Sequence, residues 1–138
     1  MKSFQTKSKK LTGSSFAEVN KQASDIYKII KKKTKRRLYV RSAYFKKDKI
    51  FIEMFWSHLF DKQNWRDRTR RLKYFPCAIE LIKNTRFEPE SKENPNKRTE
   101  ILHRFAGITK DNDLFFVQIK ENKKNGQKSL ISVFPVGK

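Results

Sequence analysis

The sequence predicts an α+β domain: an antiparallel four- or five-stranded sheet with N-terminal and middle helices packed on it. Three observations carry this expectation. Two stretches place apolar residues at helical spacing, and several others are short runs of β-branched and aromatic residues bounded by turn signals. The order of these stretches is helix, two strands, helix, three strands, and the last three strands are joined by connections short enough for a meander. Aromatic residues make up 13% of the 138 residues, with twelve Phe among them. That is too many for a disordered chain, so a small Phe-rich core is expected even though only 36% of residues are apolar.

Residues 1–13 are mostly Lys, Ser, Thr and Gln and predict a flexible basic arm, with residues 14–138 forming the single α+β domain. Ser15 and Glu18 form a capping box at a helix start. Phe16, Val19, Ala23, Ile26 and Ile30 follow at helical spacing, to about Lys33. Residues 38–45 and 49–56 then predict a hairpin turning at Lys46-Lys47-Asp48. Both faces of the second strand are apolar, which points to a central position in the sheet.

Residues 61–64 supply N-cap candidates for a middle helix with Trp65, Thr69 and Leu72 as its apolar stripe. Pro76 kinks or restarts it, since proline lacks an amide and clashes with the preceding turn. Phe75, Ala78, Ile79 and Ile82 extend it to about Thr85. Residues 88–97, with two Pro and two Asn, read as a loop. Strands over residues 100–109, 114–121 and 128–135 complete the meander, with turns at 110–113 and at Asn125-Gly126.

The chain carries 34 Lys plus Arg against 14 Asp plus Glu, a net charge of +20. So much like charge repels itself in a compact state, and a polyanion that relieves the repulsion releases its own counterions on binding. Nucleic acid is therefore the expected partner. No run approaches the length of a membrane span, although a basic N-terminal helix could lie on lipid. The single cysteine, Cys77, forms no internal disulfide and no zinc set, which suits a cytoplasmic protein or one delivered into the cytoplasm of a target cell. No Walker loop, no Gly-x-Gly-x-x-Gly, no Gly-x-Ser-x-Gly elbow and no His/Asp/Glu cluster with metal-ligand spacing is present, so no cofactor or metal is expected.

Candidate chemistry falls on a few side chains. His58 and His103 are the only groups that titrate near neutrality when unperturbed. A lone histidine is more often a partly buried, hydrogen-bonded structural residue, and that reading stands beside the functional one for both. His58 is favoured because it lies at the end of a strand, just before a loop and the basic helix. Lys62, Arg66, Arg68, Arg70, Arg71 and Lys73 follow it, with Arg66, Arg70 and Lys73 at i, i+4 and i+7. A solvated helix face is the plain alternative. Only Asp61 and Asp67 offset these charges, so a facing polyanion explains them better. Ser132, in an otherwise apolar strand, is either a filler bonded to backbone or a phosphate donor. Asp111 and Asp113 are accounted for by turn chemistry.

The ordered set is a histidine before a basic helix, then Pro76-Cys77-Ala78-Ile79-Glu80-Leu81-Ile82, then His103-Arg104. Gln118-Ile119-Lys120 and a last strand Leu130-Ile131-Ser132-Val133-Phe134-Pro135 complete it. Over roughly residues 38–135 it resembles the barnase–EndoU–colicin–RelE-like ribonuclease superfamily, in its phage- and toxin-associated branches. The resemblance implies metal-independent RNA cleavage by 2′-hydroxyl attack. His58 would then be acid or base, Arg104 the charge stabiliser, and Ser132 the phosphate donor. Lys62 would assist and His103 would be the alternative partner. RNA would be the substrate, and an antitoxin or immunity protein a possible second partner. His103 and Arg104 are neighbours in a strand and point to opposite faces, so they cannot share one site on the sheet. A non-catalytic nucleic-acid-binding protein is the alternative reading, and a basic protein that neutralises an acidic partner is a third.

Overall fold

Eleven elements follow one another in a computed structural model that describes residues 1–61 and 64–136. They are β1 (Ser3–Gln5), α1 (Phe16–Lys32), β2 (Tyr39–Arg41), β3 (Lys49–Phe51), α2 (Glu53–Phe60), α3 (Trp65–Leu72), α4 (Phe75–Asn84), β4 (Glu90–Asn94), β5 (Lys97–Ile108), β6 (Leu114–Asn122) and β7 (Lys128–Pro135). The class is α+β. The sheet, however, is larger than four or five strands and is mixed: the order is β1-β5-β6-β7-β3-β2, with β4 also on β5. The pairs β1·β5 and β3·β7 are parallel. Parallel pairs join segments far apart in sequence, so short-range patterning carries no sign of them.

The meander is the centre of the sheet. β5 and β6 pair from Glu100↔Asn122 to Ile108↔Leu114. Asn112 and Gly126 take positive φ (69° and 72°) in the two turns, a region that Asn and Gly enter at least strain. Phe105, Phe115, Val117, Ile119, Leu130 and Val133 are buried on one face and meet Phe55, Leu72, Phe75, Leu81 and Ile82 of the helices in a single core. Gly107 marks the closest approach. A Cβ there would lie 2.4 Å from the Phe115 ring and 2.8 Å from Leu81, so only glycine lets α4 sit this close.

Three segments depart from the sequence reading. First, the strand expected over residues 49–56 stops at Phe51 and α2 begins at Glu53. Ile52, Phe55 and Leu59 are the buried positions, spaced i, i+3 and i+7. Helical spacing of the groups that reach the core outweighs the alternating pattern, because burial of the apolar side chains drives both. His58 therefore sits in the last turn of a helix and not at a strand end. Second, the expected loop at 88–97 contains β4. Its side chains are largely exposed, so this edge strand has no apolar alternation to announce it.

Third, residues 1–13 are not a free arm. β1 pairs with Ala106–Ile108 and Thr6 is buried. The backbone amides of Lys7 and Ser8 donate to the two Glu80 carboxylate oxygens at 2.7 and 3.0 Å, and the Ser8 hydroxyl adds a bond of 2.7 Å. Burial pushes the Glu80 carboxyl up, but these three donors outweigh it and hold it below the usual value. The segment continues as a strap, with the Leu11 amide donating to the Lys73 carbonyl.

The edge of β7 positions the candidate cleft. β3 reaches only Lys128 and Ser129. Beyond them α2 and α3, not a strand, pack along β7. A bulge also falls there: Ser132 opposes Gln118 and Leu130 opposes Ile119, which leaves Ile131 unpaired. A bulge bends its strand and re-aims the side chains beside it.

Candidate nucleic-acid interface and cleft

Four polar side chains from four elements line one cavity of about 200 Å³: His58 of α2, Arg71 of α3, Gln118 of β6 and Ser132 of β7. Phe55, Leu59 and Val133 form its apolar walls. The local sequence explains how each arrives. Phe55 and Leu59 anchor α2 and leave His58 exposed. Asn64 caps α3, its Oδ1 accepting from the Arg66 amide at 2.9 Å. Thr69 and Leu72 bury the inner side of α3. Arg71 is thereby turned toward β7, where its Nε donates to Asp67 Oδ2 at 2.9 Å and its Nη1 to Ser132 Oγ at 3.1 Å. A guanidinium held at two points is a preset donor for a phosphoryl oxygen.

The sheet face beside the cleft carries an aromatic platform. Arg104 opposes Gln118 and Gln118 opposes Ser132, so the three form a row on the face away from the core. Next to that row, Phe116 and Phe134 have ring centroids 5.5 Å apart, and both are half-buried. The Arg104 guanidinium carbon lies 5.5 Å from the Phe116 centroid and 5.3 Å from that of Phe134. The Arg71 guanidinium carbon lies 5.8 Å from the Phe134 centroid. Two rings with two guanidiniums beside them offer stacking surface and positive charge together, the combination that single-stranded nucleic acid engages.

His103 does not join this cleft. It faces the core side, 7% exposed, with Ser91 Oγ 2.6 Å from Nδ1 and Glu121 Oε1 2.8 Å from Nε2. Both ring nitrogens are therefore used in a bridge across β4, β5 and β6, and the ring packs on Phe45 with centroids 5.0 Å apart. Arg104 points the other way, as the alternation along a strand requires.

The basic helix spreads its charges in several directions. Arg66 lies exposed beside the Trp65 ring. Arg68 stacks over Phe16 and Phe60, at 5.6 and 5.1 Å from their centroids. Arg70 and Lys73 line a second cavity of about 280 Å³ together with Lys10 and Tyr74. Lys10 is also bridged to Asp113 at 3.0 Å, and that hydrogen bond raises its pKa. Trp65, expected in the apolar stripe, is 51% exposed. Lys62 lies outside the described residues. Phe116 is not singled out in the sequence reading, and Gln118 and Phe134 enter it only as strand residues of the ordered set, with no site role. Alternation along the meander puts them opposite the buried positions, and that signal was present for Phe116 and Gln118. The bulge at Ile131 that brings Ser132 into the row has no sequence signature.

Among the described residues, no group of three or more His, Cys, Asp or Glu could hold a metal ion. Among them too, no helix is long and apolar enough to cross a membrane. No protein family, curated protein or solved structure matches the chain.

Proposed function

We propose that this protein binds RNA on the Arg71–Phe134–Phe116–Arg104 face and cleaves it in the adjoining cleft. The observation that carries the reading is the convergence of His58, Arg71, Gln118 and Ser132 on one cavity beside that platform. Bases of a single strand stack on Phe116 and Phe134, while Arg104 and Arg71 meet the flanking phosphates. The scissile phosphate enters the cleft. Neutral His58 takes the proton of the ribose 2′-hydroxyl, and the 2′-oxygen forms a bond to phosphorus as the bond to the 5′-oxygen breaks. Arg71 and the Ser132 hydroxyl donate to the non-bridging oxygens where negative charge grows. The departing 5′-oxygen takes up a proton from His58 or water, leaving a 2′,3′-cyclic phosphate and a 5′-hydroxyl. No metal takes part in these steps.

The test is incubation of the pure protein with single-stranded RNA in EDTA, followed by analysis of the new ends. Cyclic phosphate and 5′-hydroxyl ends support the proposal. Activity that disappears in EDTA and returns with magnesium refutes it. One observation favours a second reading, a binder that does not cut: among the described residues His58 is the only histidine lining the cleft, so a single side chain would have to serve as both base and acid. Tight, salt-dependent binding with no cleavage of any RNA offered decides for that reading.

A further inference from the structure

A separate cavity of about 950 Å³ lies between the C-terminal half of α1, the β2 hairpin and α4. Its floor is aliphatic: Ile26, Ile29, Ile30, Val40 and Ile79 line it. Its rim is cationic, with Lys33 from the end of α1, Arg41, Lys46 and Lys47 from the hairpin, and Lys83 and Arg86 from α4 and the residues after it. No Asp or Glu lines it, and no described carboxylate forms a salt bridge with any of the six. Two of these lysines sit on unusual backbone: Lys46 and Lys47 have φ of 55° and 68°, a left-handed region that disfavours side chains with a Cβ. Ile29 is 57% exposed. Apolar side chains beside six cations with no carboxylate partner are complementary to an occupant that is both apolar and acidic.

We infer that this groove docks an acidic amphipathic helix of a partner protein. The chemistry of floor and rim selects this occupant. Aliphatic residues at i, i+3, i+4 and i+7 of a helix match a narrow apolar floor, while carboxylates on the helix flanks meet the cations on the rim. RNA would use the rim and leave the isoleucine floor wet, since that floor offers base rings only Tyr39 to stack on. A single-headed anionic amphiphile would neutralise one or two of six cations. A bilayer is flat and cannot follow a concave surface. The groove shares none of the residues that line the α2–α3–β7 cleft, so the inference stands independently of RNA cleavage.

The experiment uses the whole protein and fluorescein-labelled peptides of about 20 residues, long enough for several helical turns. One peptide carries Leu at i, i+3, i+4 and i+7 with Glu and Gln elsewhere. The other has the same composition with the leucines scattered. Anisotropy at physiological salt should show saturable binding of the amphipathic peptide, at least tenfold tighter than the scrambled one. Ile29→Glu should weaken it tenfold or more, and Ile29 is too exposed for that change to unfold the protein. Lys83→Glu combined with Arg86→Glu should weaken it similarly. Phe134→Leu, on the RNA platform, should leave it unchanged. Equal binding of both peptides would reduce the groove to bulk charge attraction and overturn the inference. So would an unchanged affinity in Ile29→Glu, or displacement of the peptide by phosphatidylglycerol vesicles or single-stranded RNA at lower concentration than unlabelled peptide.

Discussion

Arg71 shows how much the candidate site depends on one planar side chain. It reaches Asp67 with one nitrogen and Ser132 with another, and its guanidinium also flanks Phe134. Lysine offers a point charge on a flexible stem and cannot keep that fork. Arg71→Lys should therefore slow cleavage by about 10²-fold, the loss expected when a preset transition-state donor is removed. RNA affinity should change only a few-fold, because the charge is retained. Single-turnover rates and binding isotherms on the same RNA check this; a variant that cuts as fast as wild type removes Arg71 from the chemistry. At this scale the sequence was informative about residue type. The nature of His58, Arg104 and Ser132 suggested them, and strand alternation already separated His103 from Arg104. It favoured His58 over His103 only by position along the chain, without the contacts that set the two side chains apart. The hydrogen bonds of His103 come from Ser91 and Glu121 on two other strands, and β4 was not legible at all.

Elements were legible where one face alone is buried, and obscured where tertiary contacts decide. The Ser15 N-cap, the Pro76 restart and the meander emerge as the local signals indicate, although the Glu18 carboxylate accepts from the Ser14 and Ser15 hydroxyls and does not close the capping box on the Ser15 amide. α2 was hidden because its short apolar run fits both periods, and β1 because its partner β5 lies far along the chain, as does the Glu80 that holds Lys7 and Ser8 after it. The N-terminal strap leads to a prediction of opposite sign to that of a free arm. Deleting residues 1–13 should lower the melting temperature by several degrees, at about 4 °C for each kcal/mol in a domain of this size. An unchanged melting temperature would mean that β1 and the strap bury nothing of consequence. Glu80 adds a pH dependence. Its folded pKa is lowered, so its contribution is present above the unfolded carboxyl range and is lost as pH falls through the folded value. Thermal melts from pH 7 down to pH 3 should lose less stability in Glu80→Gln than in wild type. Parallel acid limbs for the two proteins would show that the Lys7 and Ser8 donors do not favour the ionised form.

For the molecule as a whole, charge is the dominant fact. Its net +20 comes from cations on many elements, among them the groove rim, Arg104 on the outer sheet face and the cavity at Arg70 and Lys73. Self-repulsion of this size destabilises the compact state, and salt screens it. Raising sodium chloride from about 0.02 to 0.5 M should therefore raise the melting temperature, whereas a fold held mainly by surface ion pairs would be weakened. Over the same range RNA affinity should fall steeply, with a slope near 0.7 log units per log unit of salt for each phosphate contacted on a single strand. A melting temperature that drops with salt would contradict the picture of a protein whose charge exists for a partner.

The central claim is that His58 performs chemistry in the α2–α3–β7 cleft. The direct measurement is the single-turnover cleavage rate of wild type and His58→Ala, with RNA saturating in both and with circular dichroism spectra recorded alongside. General acid–base catalysis contributes about 10²- to 10⁴-fold. A neutral imidazole adds little to an affinity dominated by phosphate contacts. His58 is exposed on α2, so its removal leaves the core intact. The account predicts a folded variant that binds RNA within a few-fold of wild type and cuts at least 100-fold more slowly. A folded His58→Ala that cuts at the wild-type rate would contradict it.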